Sequence, residues 1–468
     1  MLIAEPLPFI KEYLRILNSA IETHCPGKKL SQIQQYWLSL CIMAIIVTNS
    51  VCWSRFKKAT MGRYSTAGLS WMFLKSKIPW DLLLQMSVAV ILKKYGITEG
   101  CLGVDETDKK RSKSTKKIFR THKVFDKSSG GYFNGQSIVF LLLITKKITI
   151  PVGFSFYKPD PVLSAWRKED KKLKKKGISK KYRPTEPIRN PNYPTKSQIA
   201  LNLFEQFKKA HGDIRIRCIF ADALYGTEEF VDRASALFGG IQVISQIHCD
   251  QVVRFRNKEL SVQEYFTSHP GTKQKIQIRG SEPVEATVGS ARLYVQAHRK
   301  KRFVIALKYE GEDEYRYIIA SDLSWRTIDI VHAYTLRWLV EVFFQDWKAN
   351  EGWGKLTKQP GEEGSNRSLI LSLLVDHSLF FHPDQLARIE NKLPACTVGS
   401  LTDKIKVEGL LNLLEQIILS DSPLERFREF SKEMEDNVIV LNSSKKHMVA
   451  RQIGRLEPTP HLKYKNAA

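Results

Sequence analysis

The sequence predicts an α/β protein with helical regions at both ends and a β-rich insertion. Apolar residues recur at helical spacing up to about residue 95. Strand-like and helical runs then follow one another to residue 248. In residues 249–325, apolar and polar residues alternate between turn signals, with almost no helical pattern. Helical spacing returns after residue 325. These shifts predict five regions: 1–95, 96–248, 249–325, 326–390 and 391–468.

The N-terminal region is expected to contain several helices. Helical periodicity appears in PFIKEYLRIL, in YWLSLCIMAIIV and in WDLLLQMSVAVILKKYG. Between the last two lies SRFKKATMGRYSTAGLSWMFLKSK, which has basic residues, two glycines and Ser/Thr signals. This stretch is compatible with a helix–turn–helix DNA reader and equally with a plain helical bundle. The first of these alternatives would give residues 1–95 a role in binding DNA.

The central region has a distinctive order of elements. ITEGCLGVD, SIVFLLLITKK and ITIPVGFSFYK are predicted strands, and the last two are joined as a hairpin. A helix (TKSQIALNLFEQFKKAH), a strand (IRIRCIFAD), a helix (TEEFVDRASALF) and a strand (IQVISQI) follow. This order, in which three strands are followed by a helix and then by alternating strands and helices, is that of an RNase H-like sheet. The fold prediction is therefore an RNase H-like core interrupted by the β-rich insertion.

Composition indicates a globular protein with a polyanionic partner. The chain has 468 residues, which is enough for two or three domains. Its content of 43% hydrophobic and 26% charged residues is ordinary for a globular protein. Lys and Arg number 73 against 48 Asp and Glu, a formal charge of +25. Nucleic acid is the commonest polyanion, although an acidic membrane surface or solubility also accounts for such an excess.

The cysteines and apolar segments predict a cytoplasmic protein without a membrane partner. The seven cysteines are scattered without a CxxC pair, which favours reduced thiols over disulfides or a zinc site. The N-terminus lacks the basic region of a signal peptide. The run YWLSLCIMAIIV is shorter than the roughly 20 residues that span a bilayer, so a buried helix is predicted.

Two basic stretches stand out, at residues 108–127 and 167–184. The first follows a strand that ends on an acid, which favours contact with phosphates. The second is predicted to be a solvated loop that precedes a helix.

Two acids end apolar strand-like runs. Asp105 closes CLGVD and Asp222 closes RCIFAD. An acid at a strand end is often a turn or helix-cap residue, but two in one sheet can supply the hard oxygen ligands that divalent cations prefer. Glu106 and Asp108 are alternatives to Asp105; Asp105 is preferred because it closes the apolar run.

A third acid is predicted on a helix from Tyr334 to Gly352. At about 100° per residue, Tyr334, Arg337, Glu341 and Lys348 fall within an arc of roughly 60°. An ordinary solvated face with one Arg–Glu pair would have the same pattern. The opposite side is the predicted core face, formed by Leu336, Leu339, Val340, Phe343 and Trp347.

The four residues that share this arc (Tyr334, Arg337, Glu341 and Lys348) fit the spacing Y-x2-R-x3-E-x6-K. This resembles the YREK signature of bacterial insertion-sequence transposases of the DDE class, in insertion-sequence family four. VDETDKKRSK, FADALYGTEEF and RYIIASDLSW are also similar to that family, and the resemblance covers roughly residues 98–385.

The resemblance implies roles for named residues. Asp105, Asp222 and Glu341 would be the DDE triad that binds two Mg²⁺ or Mn²⁺ ions. Tyr334, Arg337 and Lys348 would contact phosphates near the transposon end. Some relatives stack a flipped base on a Trp upstream of the signature, and the matching position is Tyr317; a tyrosine there is also compatible with a sheet-face residue.

The function implied is cut-and-paste DNA transposition in the bacterial cytoplasm. The expected partners are double-stranded DNA, as terminal inverted repeats and as target, and a second copy of the chain in a synaptic homodimer. Two other functions remain open: a metal-dependent DNA nuclease of the same fold without strand transfer, and a DNA-binding regulator derived from a transposase. A regulator is expected to have a broken triad, whereas all three acids are present.

Overall fold

The computed structural model describes residues 2–111, 117–126, 128–278, 282–354 and 359–438. Within these ranges the strands form one twelve-stranded sheet. The strands are β1 (Glu99–Lys110), β2 (His122–Asp126), β3 (Gly131–Ile144), β4 (Thr149–Tyr157), β5 (Arg215–Ala221), β6 (Gln242–Ile247), β7 (Val252–Phe255), β8 (Lys258–Ser261), β9 (Thr272–Ile276), β10 (Val284–Val295), β11 (Lys300–Tyr309) and β12 (Arg316–Ala320).

The helices of the same ranges surround this sheet. They are α1 (Pro8–His24), α2 (Gln32–Thr48), α3 (Trp53–Ala59), α4 (Thr66–Lys75), α5 (Trp80–Tyr95), α6 (Pro161–Lys175), α7 (Lys196–Ala210), α8 (Glu228–Leu237), α9 (Val262–Ser268), α10 (Thr327–Thr335), α11 (Trp338–Asn350), α12 (Gly361–Leu379), α13 (Pro383–Glu390), α14 (Val398–Ile418) and α15 (Pro423–Asn437).

One half of the sheet has the order β4-β3-β1-β5-β6. β3 is antiparallel to both β1 and β4, and β3–β4 is the predicted hairpin. β1, β5 and β6 run parallel, and α7 and α8 supply crossover helices before β5 and β6. β3 is buried on both faces from Gly135 onward, as its continuous apolar run requires. This arrangement fits the predicted RNase H-like core.

Residues 249–325 continue the same sheet. β12 pairs with β6 on one side and with β11 on the other, and β10, β9, β7 and β8 lie beyond. One short helix, α9, interrupts the β-rich pattern. Ser261 and Glu264 form a capping box at its start. The helix has only seven residues, which is too few for helical periodicity to be recognised in the sequence.

The N-terminal helices pack against helices from the end of the chain. α1, α2 and α5 contact α12, and α2 also contacts α14. One apolar cluster includes residues of both ends of the described chain, from Ile3 near α1 to Ile405 of α14. The run YWLSLCIMAIIV lies in α2, and most of it is buried there. In the described part of the chain, no single helix is long and apolar enough to cross a membrane; α2 and α3 meet that test only as a pair bent by 88°.

Three sequence-based predictions of elements are wrong in detail. β1 does not end at Asp105, because β3 pairs with it as far as Lys110. Residues 167–184 are not simply a loop, because α6 occupies their first half, with Asp160 as N-cap and Pro161 at its first position. The run from Tyr334 to Gly352 is two helices, α10 and α11, rather than one.

The break between α10 and α11 changes the helical wheel. Arg337 and Val340 donate backbone hydrogen bonds to the residues three positions earlier, Tyr334 and Arg337. This tighter winding has about three residues per turn instead of 3.6. Tyr334 therefore does not share the face of α11 that carries Glu341.

Candidate active site

Asp105 and Asp222 lie side by side on neighbouring strands. β1 and β5 are parallel, and the last pair in their register is Val104 with Ala221. Each aspartate is the next residue along its strand, so the two lie at the same level, and neighbouring strands are about 4.8 Å apart. The sheet thus brings together two acids that are 117 positions apart in the sequence, as their residue numbers give.

The Asp105 carboxyl is enclosed. Its side chain is 10% exposed, and its Oδ1 accepts a hydrogen bond of 2.7 Å from the backbone N–H of Glu106. Burial raises the pKa of Asp105 to about 7; the Glu106 N–H acts against this rise, and the charge of Asp222 adds to it. A carboxyl in this setting gains from a nearby cation.

Arg337 is the cation that the chain itself provides. Its Nη1 lies 3.4 Å from Asp105 Oδ2 and 3.5 Å from Glu341 Oε1. Burial acts against the charged guanidinium, yet Tyr334 and the three acids together raise the pKa of Arg337. Arg337 therefore joins the sheet acids to Glu341, whose side chain is 42% exposed.

Aromatic packing positions α11 over the acids. Phe343, Phe344 and Trp347 surround the ring of Phe140 on β3, with centroids 4.9–5.7 Å away. A Cβ on Gly103 of β1 would lie 2.8 Å from Val340 Cγ2, so glycine there permits this close approach. Of the predicted core face, Val340, Phe343 and Trp347 are buried, and Leu336 and Leu339 are half-buried.

A family comparison identifies the class of protein to which the chain belongs. The sequence profile described as DDE superfamily endonuclease matches residues 63–304, which is more than half of the chain. The chain belongs to this family. The match includes Asp105 and Asp222 and ends before Glu341, and it does not bear on the YREK signature or on insertion-sequence family four.

Other comparisons add little to this assignment. The Drosophila P element transposase strand transfer complex aligns over 92% of this chain and 98% of that chain, at 10% identity and a TM-score of 0.22. A structural similarity with so low a TM-score supports no conclusion about this chain. No curated protein matches the sequence.

The fold separates Asp105 from its sequence alternatives, as expected for alternating side chains on a strand. Glu106 accepts hydrogen bonds from Lys196 Nζ at 2.8 Å and from the Tyr225 hydroxyl at 3.0 Å. Asp108 accepts a hydrogen bond from the Ser137 hydroxyl. Of these three acids, Asp105 is the one that Arg337 contacts.

Two lysines lie near this group of acids. Lys348 is half-buried, with Nζ 5.7 Å from the ring centroid of Phe344; burial lowers its pKa, while Asp108, Glu341 and Asp105 act to raise it. Lys109 was missed by the sequence interpretation. Burial lowers its pKa to about 8, with Arg111 and Lys348 acting the same way, and its Nζ donates to the carbonyl of Gly354 at 2.6 Å. Its position four residues after Asp105, on one strand face, is the signal that could have identified it.

The structure places Tyr334 and Tyr317 away from exposed surfaces. Tyr334 is 5% exposed and its hydroxyl accepts a hydrogen bond from Gln246 Nε2, so it is not part of an exposed stripe. Tyr317 is buried on β12, with its ring stacked on Phe266 at 6.2 Å. Tyr317 is thus a sheet-face residue here, the alternative noted for it from the sequence. The predicted DNA contacts of the two tyrosines would require both to leave these positions.

The donor set of the site fits a hard divalent cation. Asp105, Asp222 and Glu341 offer carboxylate oxygens, which Mg²⁺ and Mn²⁺ prefer. Across the described ranges, no three His, Cys, Asp or Glu side chains are grouped so as to hold a metal ion as they stand. The guanidinium of Arg337 lies 3.4 Å from Asp105 and 3.5 Å from Glu341, which sets a positive charge against two of the three acids.

Proposed function

We propose that this DDE endonuclease is a DNA transposase. It cuts DNA at the ends of an insertion sequence and joins the freed 3′-OH to target DNA. The observation that supports this most directly is the register of β1 and β5, which sets Asp105 beside Asp222, together with Arg337, which links Asp105 to Glu341.

Asp105, Asp222 and Glu341 are the residues that would hold the metal ions. Two bound divalent ions supply activation of the attacking oxygen and stabilisation of the leaving oxygen in phosphoryl transfer. The chain contributes the rest of the site. Arg337 can form two parallel hydrogen bonds to a phosphate, and Lys348 supplies a point charge close by. Lys109, with its pKa lowered to about 8, adds a further donor on the same side.

The domain roles follow the same proposal. Residues 1–95 would recognise the terminal inverted repeats, residues 96–248 and 326–390 would form the catalytic core around the insertion at 249–325, and residues 391–468 would support a synaptic homodimer.

Substitution of Glu341 tests the proposal. The full chain is incubated with Mg²⁺ or Mn²⁺, a labelled DNA end and a target plasmid. We expect Glu341→Gln to abolish cleavage while DNA binding persists, because a neutral amide is a poor ligand for a hard cation. The matched control is Glu362→Gln, which removes an exposed acid in the first turn of α12 and should leave cleavage unchanged.

The same assay separates the rival functions. Retained cleavage by Glu341→Gln would remove Glu341 from the site. Cleavage by the unmodified chain without any joined product identifies a nuclease, and binding without cleavage identifies a regulator.

A further inference from the structure

Residues 158–195, which we name the basic arm, connect β4 to α7. The arm has twelve Lys and Arg against four Asp and Glu, a net charge of +8. The whole chain has +25, so about a third of its excess charge lies in about a twelfth of its length. Such a concentration of charge needs an explanation beyond average composition.

The basic arm is folded rather than being a plain solvated loop. Asp160 accepts hydrogen bonds from the N–H groups of Val162 and Leu163 at the start of α6, and its other oxygen accepts one from Asn190 N at 2.9 Å. Trp166 Nε1 donates to the carbonyl of Pro184 at 2.8 Å. These contacts fold the arm back on itself and hold α6 in place, although only one side chain of α6 is buried.

Most of the arm's basic side chains point to solvent. The lysines of α6 and of the turn after it are exposed. Among the described residues, the arm's lysines form no ion pair; Arg183, with Asp170 at 2.7 Å, is the arm residue that does. Tyr182 lies between Lys181 and Arg183 in the sequence and is 76% exposed. The ammonium of Lys181 is 6.0 Å from the centroid of its ring. A row of unpaired cations with an exposed aromatic ring is the pattern of a nucleic-acid surface.

The base of the arm adjoins the acids. Lys196, the residue that follows the arm, pairs with Glu106 at 2.8 Å, and Glu106 is the neighbour of Asp105. Arg120 donates to the carbonyls of Phe156 and Asn192, one on each side of the arm's base. The base of the arm therefore lies against β1 at the residue after Asp105, on the face of the sheet opposite to the Asp105 side chain.

We propose that the basic arm binds the backbone of double-stranded DNA beyond the catalytic acids. This rests on the proposed function for the identity of the polyanion. A fifteen-residue helix is about 22 Å long, enough to follow about six base pairs at 3.4 Å each. Because backbone contacts read no sequence, the arm anchors the duplex that flanks the scissile phosphate without adding specificity.

Neutralisation of one face of α6 tests the proposal. Lys168, Lys172 and Lys175 share a face at i, i+4 and i+7, so the test variant is Lys168→Gln, Lys172→Gln and Lys175→Gln together. The matched control is Lys93→Gln, Lys94→Gln and Lys209→Gln. These control lysines are exposed near the ends of α5 and α7, which precede the starts of β1 and β5, and the acids lie about 20 Å further along those strands.

Binding is measured with the full chain by fluorescence anisotropy on a 30-base-pair duplex, in EDTA and across a KCl series. We expect the arm variant to bind at least about tenfold more weakly at 0.1 M salt, with the slope of log Kd against log[salt] smaller by about 0.9 for each phosphate that the variant no longer neutralises. The control variant keeps the affinity and slope of the unmodified chain. Arginine at the same three positions restores both.

Equal affinity and slope in the arm and control variants would overturn the proposal. A loss confined to single-stranded RNA of the same length would also overturn it. Since EDTA prevents metal-dependent chemistry, failure of the Glu341 experiment leaves this result unaffected. A chain that binds no duplex at all overturns both proposals.

Discussion

At the scale of single residues, the site is organised by Arg337. It lies on the boundary of α11 and contacts both Asp105 and Glu341. A buried carboxyl group without a cation is costly, and the raised pKa of Asp105, about 7, reflects that cost. Arg337 offsets it in the absence of metal. A divalent cation must therefore compete with the guanidinium, and a DNA phosphate is a second partner that can draw Arg337 away.

Removal of this counter-ion should strengthen metal binding in the absence of DNA. We expect Arg337→Gln to raise the affinity for Mn²⁺ by roughly tenfold, or about 1.4 kcal/mol, because the neutral amide no longer competes for the carboxylates. Isothermal titration calorimetry on the DNA-free chain measures this. The same variant should bind duplex DNA more weakly, since it has one phosphate donor fewer.

Arg326→Gln is the control, because Arg326 is exposed at the start of α10 and pairs with Asp329. Unchanged Mn²⁺ affinity in Arg337→Gln would show that Arg337 is not a counter-ion to the acids.

At the scale of elements, α11 is held at both ends. Its aromatic face packs on Phe140, and Trp347 stacks on Trp353 and donates to the Ser372 hydroxyl of α12 at 2.8 Å. At the C-terminal end, Glu351 and Asp376 are buried together. Within the described structure, both oxygens of Glu351 and Oδ2 of Asp376 lack hydrogen-bond partners. Burial, with the charge of Asp346, raises the pKa of Asp376 to about 8, and burial also raises the pKa of Glu351.

This junction predicts a pH dependence of stability. Since the pKa of Asp376 is raised on folding, the folded state keeps a proton that the unfolded state loses above about pH 4. The free energy of unfolding therefore falls as pH rises from about 4 to about 8, by up to about 1.4 kcal/mol per pH unit. We expect Asp376→Asn to reduce this slope to the part that Glu351 contributes and to be the more stable form at pH 8, as measured by urea denaturation across pH.

Asp421→Asn removes an exposed aspartate from the loop before α15 and should retain the slope of the unmodified chain. A slope shared by all three proteins would mean that Asp376 is not the group responsible.

At the scale of the whole molecule, the helices at the two ends of the chain share one core. α1, α2 and α5 pack on α12, and α12 is buried along nearly its whole length from Ser368 to Leu379. Because α12 follows α11, the N-terminal helices support the helix that carries Glu341. DNA-end binding by residues 1–95 and catalysis would thus be linked through packing.

A chain that lacks residues 1–95 should therefore fail to fold alone. Removal of residues 1–95 exposes the apolar surface of α12, and exposed apolar patches of this kind cause aggregation. We expect no cooperative thermal transition and elution as aggregate on size exclusion. A chain that ends at Asp421 is the comparison: it loses α15, which has no buried side chain, and should still unfold cooperatively. A soluble chain 96–468 that unfolds cooperatively would contradict the shared core.

Much of the fold could be predicted because the relevant signals are local. Apolar runs and helical spacing correctly predicted the β3–β4 hairpin, α7, β5, α8 and β6. Asp105 and Asp222 were proposed because each follows an apolar run, and the register of β1 and β5 sets them side by side although β1 continues to Lys110. The wheel for Tyr334 to Gly352 was less reliable, because two residues of tighter winding are enough to turn Tyr334 into the core.

The sequence by itself determined most of the order of strands and helices up to β6 and nominated the three acids as candidates, since these depend on local periodicity and on residue type. The tertiary structure decided which acid of β1 faces Arg337, where Tyr334 and Tyr317 are buried, and that Lys109 adjoins the site. It also showed that the basic arm is a folded element beside the acids. The physical reason is that the direction of a side chain depends on what packs against it, and those partners lie far away in the sequence.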